Sequence, residues 1–160
     1  MSDYKNDHLQ RILLFAPIVF ICHFAEEAPG FVNWFNAHVS QGITARLFFE
    51  VNLSALIITV LVIGIYWYIR PALVIVVTWL SFLMLANAFL HIAGALIDRG
   101  YVPGLVTAVI LYLPYYSWVC LNIFKSRRIR LPAFIFAVMI GSLPMLLHGY
   151  LILFRSSRLL

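Results

Sequence analysis

Five runs of apolar residues, each about as long as a helix needs to cross a bilayer, occupy most of this 160-residue chain. They lie at about 11–28, 44–69, 71–97, 103–124 and 131–154. Spanning takes about 20 predominantly apolar residues, and it takes them as helix, because backbone N–H and C=O groups find no water in lipid. Charged residues make up only 11% of the chain and hydrophobic ones 64%. A soluble domain carries about 25% charged residues, so this chain could not coat itself for water. The sequence predicts an all-α, polytopic membrane helix bundle, a single transmembrane domain over residues 1–160.

Proline and glycine punctuate the runs. Pro29–Gly30 ends the first, and Pro71, Pro103 and Pro132 open the third, fourth and fifth, where a fixed φ and a missing donor suit a first helical turn. Pro114 and Pro144 fall inside runs and predict kinks. Between the first two runs, residues 29–43 carry Phe31, Trp34, Phe35 and His38 at roughly helical spacing, with Asn33, Asn36 and Gln41 among them. That pattern predicts a short amphipathic interfacial helix, with His38 as a surface residue. Lys5 and Arg11 before an apolar core resemble a signal peptide, but Glu26–Glu27 stand where a small-residue cleavage site belongs, so the segment reads as a helix of the mature protein. Cys22 and Cys120 form no spacing pattern, which argues against a disulfide framework or a paired-cysteine zinc motif.

The formal charge of +5 belongs to the membrane rather than to nucleic acid, because five of the eleven Lys and Arg residues (Arg70, Lys125, Arg127, Arg128 and Arg130) sit in short breaks between runs. The side holding the N-terminus, Arg70 and the KSRRIR loop counts seven Lys and Arg; the other holds Arg46, Arg99, Arg155 and Arg158. Positive charge collects in cytoplasmic loops, which predicts a cytoplasmic N-terminus and an external C-terminus.

The runs are not wholly apolar, and their exceptions share a depth. His23 lies near the end of the first run, Glu50 near the start of the second, His91 near the end of the third and His148 near the end of the fifth. In an alternating bundle these ends face one side, and a rise of 1.5 Å per residue puts each group roughly 9 Å below the same surface. Glu26 and Glu27 follow His23 by three and four positions, and Asn87 precedes His91 by four, so these groups share helical faces. A charge inside the bilayer costs several kcal/mol unless paired or hydrated. Three carboxylates together must be protonated, matched by cations or bound to metal.

His23, His91 and His148 with Glu26, Glu27 and Glu50 therefore form a candidate ligand set for one or two divalent ions. Imidazole with carboxylate suits iron, zinc or manganese. Helical bundles build dinuclear sites from such residues at i, i+3 spacing. Each residue also has an ordinary reading. Glu50 would form an i, i+4 ion pair with Arg46, His148 would bond a neighbouring carbonyl, and Asp98 would sit in a solvated turn before Gly100. Tyr112, Tyr115, Tyr116 and Trp118 in the fourth run would line a ligand cavity or simply pack.

The stretch His23-Phe-Ala-Glu26-Glu27 resembles the signature of the HXXEE-motif membrane protein family. Asn87-Ala-Phe-Leu-His91 matches a later N-x-x-x-H element, and Pro103–Gly104 a downstream P-G. The resemblance implies a small multi-span protein, mainly bacterial and so of the inner membrane, with functional positions at His23, Glu26, Glu27, Asn87 and His91. It implies a catalytic role and names no reaction.

The leading expectation is a metal-dependent membrane enzyme, an oxidoreductase or hydrolase. It would act on an apolar or lipid-like small molecule that enters laterally from the outer leaflet, with membrane lipids around it and a homo-oligomer left open. Glu26, Glu27 and Asn87 would carry its chemistry, with Tyr112, Tyr115 and Trp118 lining the substrate. A metal-free isomerase or cyclase acting on an isoprenoid or sterol by proton transfer is the first alternative. A transporter or proton conduit is the second.

Overall fold

The computed structural model describes residues 8–38 and 42–150. The described residues are helical, with no strand among them. In chain order they form α1 (His8–Leu13), α2 (Ala16–Glu27), α3 (Phe31–His38), α4 (Ala45–Tyr68), α5 (Leu73–Leu80), α6 (Asn87–Asp98), α7 (Leu105–Thr107), α8 (Leu113–Ser126) and α9 (Leu131–Tyr150). Two π-helical stretches, Ser81–Ala86 and Ala108–Tyr112, join α5 to α6 and α7 to α8.

Five stretches are long and apolar enough to cross a membrane: His8–Glu27, Ala45–Tyr68, Leu73–Asp98, Leu105–Ser126 and Leu131–Tyr150. The protein is an integral membrane helix bundle. The end expected for the fifth span, 151–154, lies outside the described residues, as do Lys5, Gln41, Arg155 and Arg158.

Proline decides several boundaries. Span 1 breaks at Leu14–Phe15 and restarts with Pro17 in the first turn of α2. Pro71 lies in a 3₁₀ turn before α5, and Pro132 in the first turn of α9. Pro114 follows the π stretch at Ala108–Tyr112. Its ring would crowd the carbonyl four residues back, and a widened turn relieves that clash. Pro144, by contrast, sits inside α9 without interrupting it.

Span 3 is the most buried of the five. It touches spans 2, 4 and 5, while span 1 packs between spans 2 and 4. The core fills the space between them with Phe20, Ile63, Val76, Leu80, Met84 and Val119 among others. Span 5 lies against the outside of span 3, and two glycines permit the approach. A Cβ at Gly141 would stand 2.1 Å from the Thr78 carbonyl oxygen, and one at Gly149 would stand 2.0 Å from Leu90 Cδ2. Two polar pairs deep in the bundle are satisfied locally: Trp79 Nε1 donates to Thr59 Oγ1 at 2.9 Å, and Ser81 pairs with the Tyr116 hydroxyl at 2.7 Å.

The helix α3 is shorter than the amphipathic segment expected over 29–43, and it is pinned down. Trp34 Nε1 donates to Asp98 Oδ2 at 2.9 Å, and His38 Nε2 lies 3.1 Å from Asp98 Oδ1. His38 Nδ1 also meets the Trp34 carbonyl at 2.7 Å. His38 is therefore not a simple surface residue, and Asp98 is not a solvated turn; together they tie α3 to the end of span 3. Trp34 covers Gly94 at the same seam.

The glycine contacts give a paired expectation. Gly141→Val should lower the thermal midpoint of the detergent-purified protein by several degrees, since overpacking costs about 1–3 kcal/mol. Gly64→Ala, where nothing lies within 4 Å of the new Cβ, should leave it unchanged or raise it. A scanning melt of both variants checks this.

Candidate metal centre

His23 and Glu27 share one face of α2, and His91 faces them from α6. All three are buried, with exposures of 1%, 4% and 5%. Glu27 Oε1 lies 3.4 Å from His23 Nε2 and 3.0 Å from His91 Nε2. The imidazoles meet edge to face, with centroids 4.9 Å apart at 80°. One oxygen and two nitrogens thus converge, and three such ligand atoms lie within 4.8 Å of one another.

The start of span 4 closes the cluster. Gly104 has φ +96, a conformation that favours glycine. A Cβ there would stand 2.6 Å from His91 Cε1, 2.9 Å from Glu27 Cγ and 3.0 Å from His23 Cε1. Backbone therefore lies directly on all three side chains, and only glycine fits. Tyr112, at the end of the π stretch, packs its ring on His23 with centroids 4.1 Å apart and a tilt of 34°. Phe31 of α3 approaches His91 at 6.0 Å, and Phe48 of α4 stacks on Phe31 and touches Phe24.

Glu26 turns the other way. Residues three and four past His23 point about 100° apart, so while Glu27 faces span 3, Glu26 faces the first turn of span 4. Its Oε1 accepts from the Tyr101 hydroxyl at 2.6 Å and from the Val106 N–H at 3.1 Å. Its Oε2 accepts from the Thr107 N–H at 2.7 Å and from the Thr107 hydroxyl. A carboxylate offers about four lone-pair positions, and all are taken. The bond to Glu26 holds the Tyr101 phenol above its usual pKa, with burial adding to the effect.

The other expected site residues are distributed unevenly. Asn87 lies one turn before His91, half-buried, with its Oδ1 unpartnered. His23 Nε2, His91 Nδ1 and the Tyr112 hydroxyl also lack hydrogen-bond partners. Glu50 does not join the cluster. The inward residue of α4 at this level is Phe48, 5% exposed, and Glu50 lies about 200° round the helix from it. Its Oε1 instead accepts from Arg46 Nε at 2.7 Å, on an exposed face. His148 is exposed too, because α9 turns Gly141 and Gly149 toward span 3. Tyr115 spends its hydroxyl on the Ile12 carbonyl at 3.0 Å, and Trp118, 44% exposed, packs beside His8. Both lie deeper along span 4 than Tyr112, away from the cluster.

The centre thus draws on spans 1, 3 and 4, where the expectation was spans 1, 2, 3 and 5. Thr107, Tyr101 and Gly104 were the unexpected contributors. A lone threonine at the same depth in span 4 was the available signal for the first, and the P-G pair for the last.

Residues 14–119 match the family described as "Protein of unknown function with HXXEE motif". The chain belongs to the HXXEE family. The matched stretch holds every residue of the cluster, from His23 to Tyr112, while His148 lies beyond it. No curated protein and no solved structure matches the chain.

Gly104→Ala should destabilise this HXXEE protein by about 1–3 kcal/mol through its positive φ and its crowding. Thermal scanning in detergent should show a loss at least as large for Gly104→Val.

Proposed function

We propose that this HXXEE protein is a metal-dependent membrane enzyme, with a single divalent ion held by His23, Glu27 and His91. The observation that carries the reading is the pair of Nε2 atoms facing one glutamate oxygen at 3.0 and 3.4 Å. Metal–ligand bonds of about 2.1 Å would put neighbouring ligand atoms about 3.0 Å apart in an octahedron and about 3.4 Å apart in a tetrahedron. Two histidines and one carboxylate leave coordination positions open, as catalytic zinc and non-haem iron sites require. A bound ion would supply Lewis-acid activation of water or binding of oxygen.

The set is mononuclear in this reading. Glu26 is saturated by four donors, and Glu50 and His148 face away. Among the described residues, a second ion would find only the other oxygen of Glu27, with no further imidazole or carboxylate beside it.

The chain's own groups suggest a substrate with an apolar body and one polar group. Phe24, Phe31 and Phe48 wall the cluster toward span 2. Asn87 Oδ1 can accept a hydrogen bond, and the Tyr112 hydroxyl can donate or accept one. A buried unsatisfied polar atom costs about 1–3 kcal/mol, so these atoms suit a polar group arriving between the helices. An iron, zinc or manganese enzyme of hydrolytic or oxidative type acting on a lipid-like molecule fits these features. The charge distribution supports a cytoplasmic N-terminus. The basic loops at 69–72 and 125–130 lie at one end, and Glu26, Glu27, Glu50 and Asp98 at the other. The centre then lies in the outer half of the bilayer. A proton conduit finds little support, since the buried hydroxyls of Thr59 and Ser81 are paired locally and form no file leading to Glu27.

Elemental analysis of detergent-purified protein tests the proposal. Wild type should carry one equivalent of metal. His23→Ala, Glu27→Ala and His91→Ala should lose it, while Glu50→Gln and His148→Ala should retain it. Metal-free wild type after reloading, or metal that survives both histidine substitutions, would overturn the reading in favour of metal-free proton transfer at Glu27.

A further inference from the structure

The two histidines of the cluster differ in what stands behind them. His91 Nδ1 has no partner among the described residues, whereas His23 Nδ1 lies 2.8 Å from the Thr107 hydroxyl. We infer that Thr107 is a positioning residue for this centre. With its hydroxyl proton committed to Glu26, it accepts the Nδ1–H of His23 and so leaves Nε2, on the side of Glu27 and His91, as the nitrogen for an ion. The inference rests on the metal reading for its purpose, but its geometry stands apart from any ion.

The Thr107 hydroxyl has one proton and three acceptors within reach. The Gly104 carbonyl lies 3.3 Å away, at the far end of the hydrogen-bond range. Glu26 Oε2 is much nearer and charged, and a charge-assisted bond is roughly twice as strong as a neutral one. The third acceptor would be an unprotonated His23 Nδ1. That choice would leave the threonine oxygen facing a carboxylate oxygen with no proton between them. Placing the ring's one proton on Nε2 would also take from an ion the nitrogen that stands 3.4 Å from Glu27 Oε1. The direction Nδ1–H to Thr107, Thr107 to Glu26 puts a proton in each of those two contacts and leaves Nε2 available to an ion.

Glu26 is fixed in turn. The N–H groups of Val106 and Thr107 belong to the first turn of span 4, where a carboxylate also meets the positive end of the helix dipole. Tyr101 supplies the remaining donor from the loop before it. The two glutamates of the motif thereby divide their work. Glu27, at i+4, faces His91 as a ligand. Glu26, at i+3, faces span 4 and anchors the hydroxyl that orients His23. Metal-bound histidines generally donate their distal N–H to such a partner, which fixes the tautomer and ring plane and is worth about 10–100-fold in affinity.

The test uses the full chain in detergent, with cobalt(II) titrated by absorption and with long-range ¹⁵N–¹H spectra of the metal-free protein. Metal-free wild type should show His23 protonated on Nδ1, and Thr107→Val should move that proton to Nε2. Thr107→Val should weaken cobalt binding by about 10–100-fold, while Thr107→Ser should restore it to within about threefold. The serine rescue separates the hydroxyl's effect from a folding defect. Wild-type His23 with no proton on Nδ1 would overturn the inference, and so would Thr107→Val protein that binds cobalt as tightly as wild type. A wild type that binds no cobalt yet keeps a Thr107-dependent Nδ1 proton would support the relay and overturn the metal reading.

Discussion

A carboxylate at the end of a membrane helix, closed off from water, is the constraint around which this fold is arranged. Glu27 is nearly fully buried, and burying an unpaired charge costs several kcal/mol even after relaxation. The bundle meets that cost with two imidazoles from different helices directed at one oxygen, and with a glycine that lets backbone seal the space above them. Spans 1, 3 and 4 must come together for this to happen. Their packing and the chemistry of the cluster are one problem with one solution.

The π-helical stretches are part of that solution. One precedes Asn87 and His91, and the other ends at Tyr112. A π turn accommodates an extra residue, so it rotates everything that follows relative to a regular α-helix. In span 3 this sets the direction of His91, and in span 4 it lays Tyr112 against His23. Span 5 contributes by holding span 3 from outside through Gly141 and Gly149, without offering a side chain to the centre.

Depth was legible in the sequence, but azimuth was only partly so. Among the described residues, the five helices begin and end within a few residues of the apolar runs, and the level shared by His23, Glu27 and His91 followed from rise per residue alone. Within one helix, spacing also sufficed to put His23 and Glu27 on a common face. Which way a helix turns against its neighbours depends on packing that hydropathy does not record. Glu50 shares the level of the cluster, yet Phe48 points inward in its place. His148 shares it too, yet the glycines of α9 face span 3. Thr107 escaped notice because an uncharged hydroxyl costs little in a membrane helix. Its value comes only from standing between Glu26 and His23. Asp98 and His38 show the same limit, since their bond closes a gap of 60 residues that no local pattern encodes.

In the proposed function, two imidazoles and one carboxylate form a single mononuclear metal site inside the bilayer. X-ray absorption at the edge of the bound metal, recorded on detergent-purified full-length protein, addresses it most directly. The spectrum should show scattering from two histidine rings and light oxygen donors around one ion. Absence of imidazole scattering would contradict that site, as would a second metal at about 3.5–4 Å, the spacing of two-metal sites.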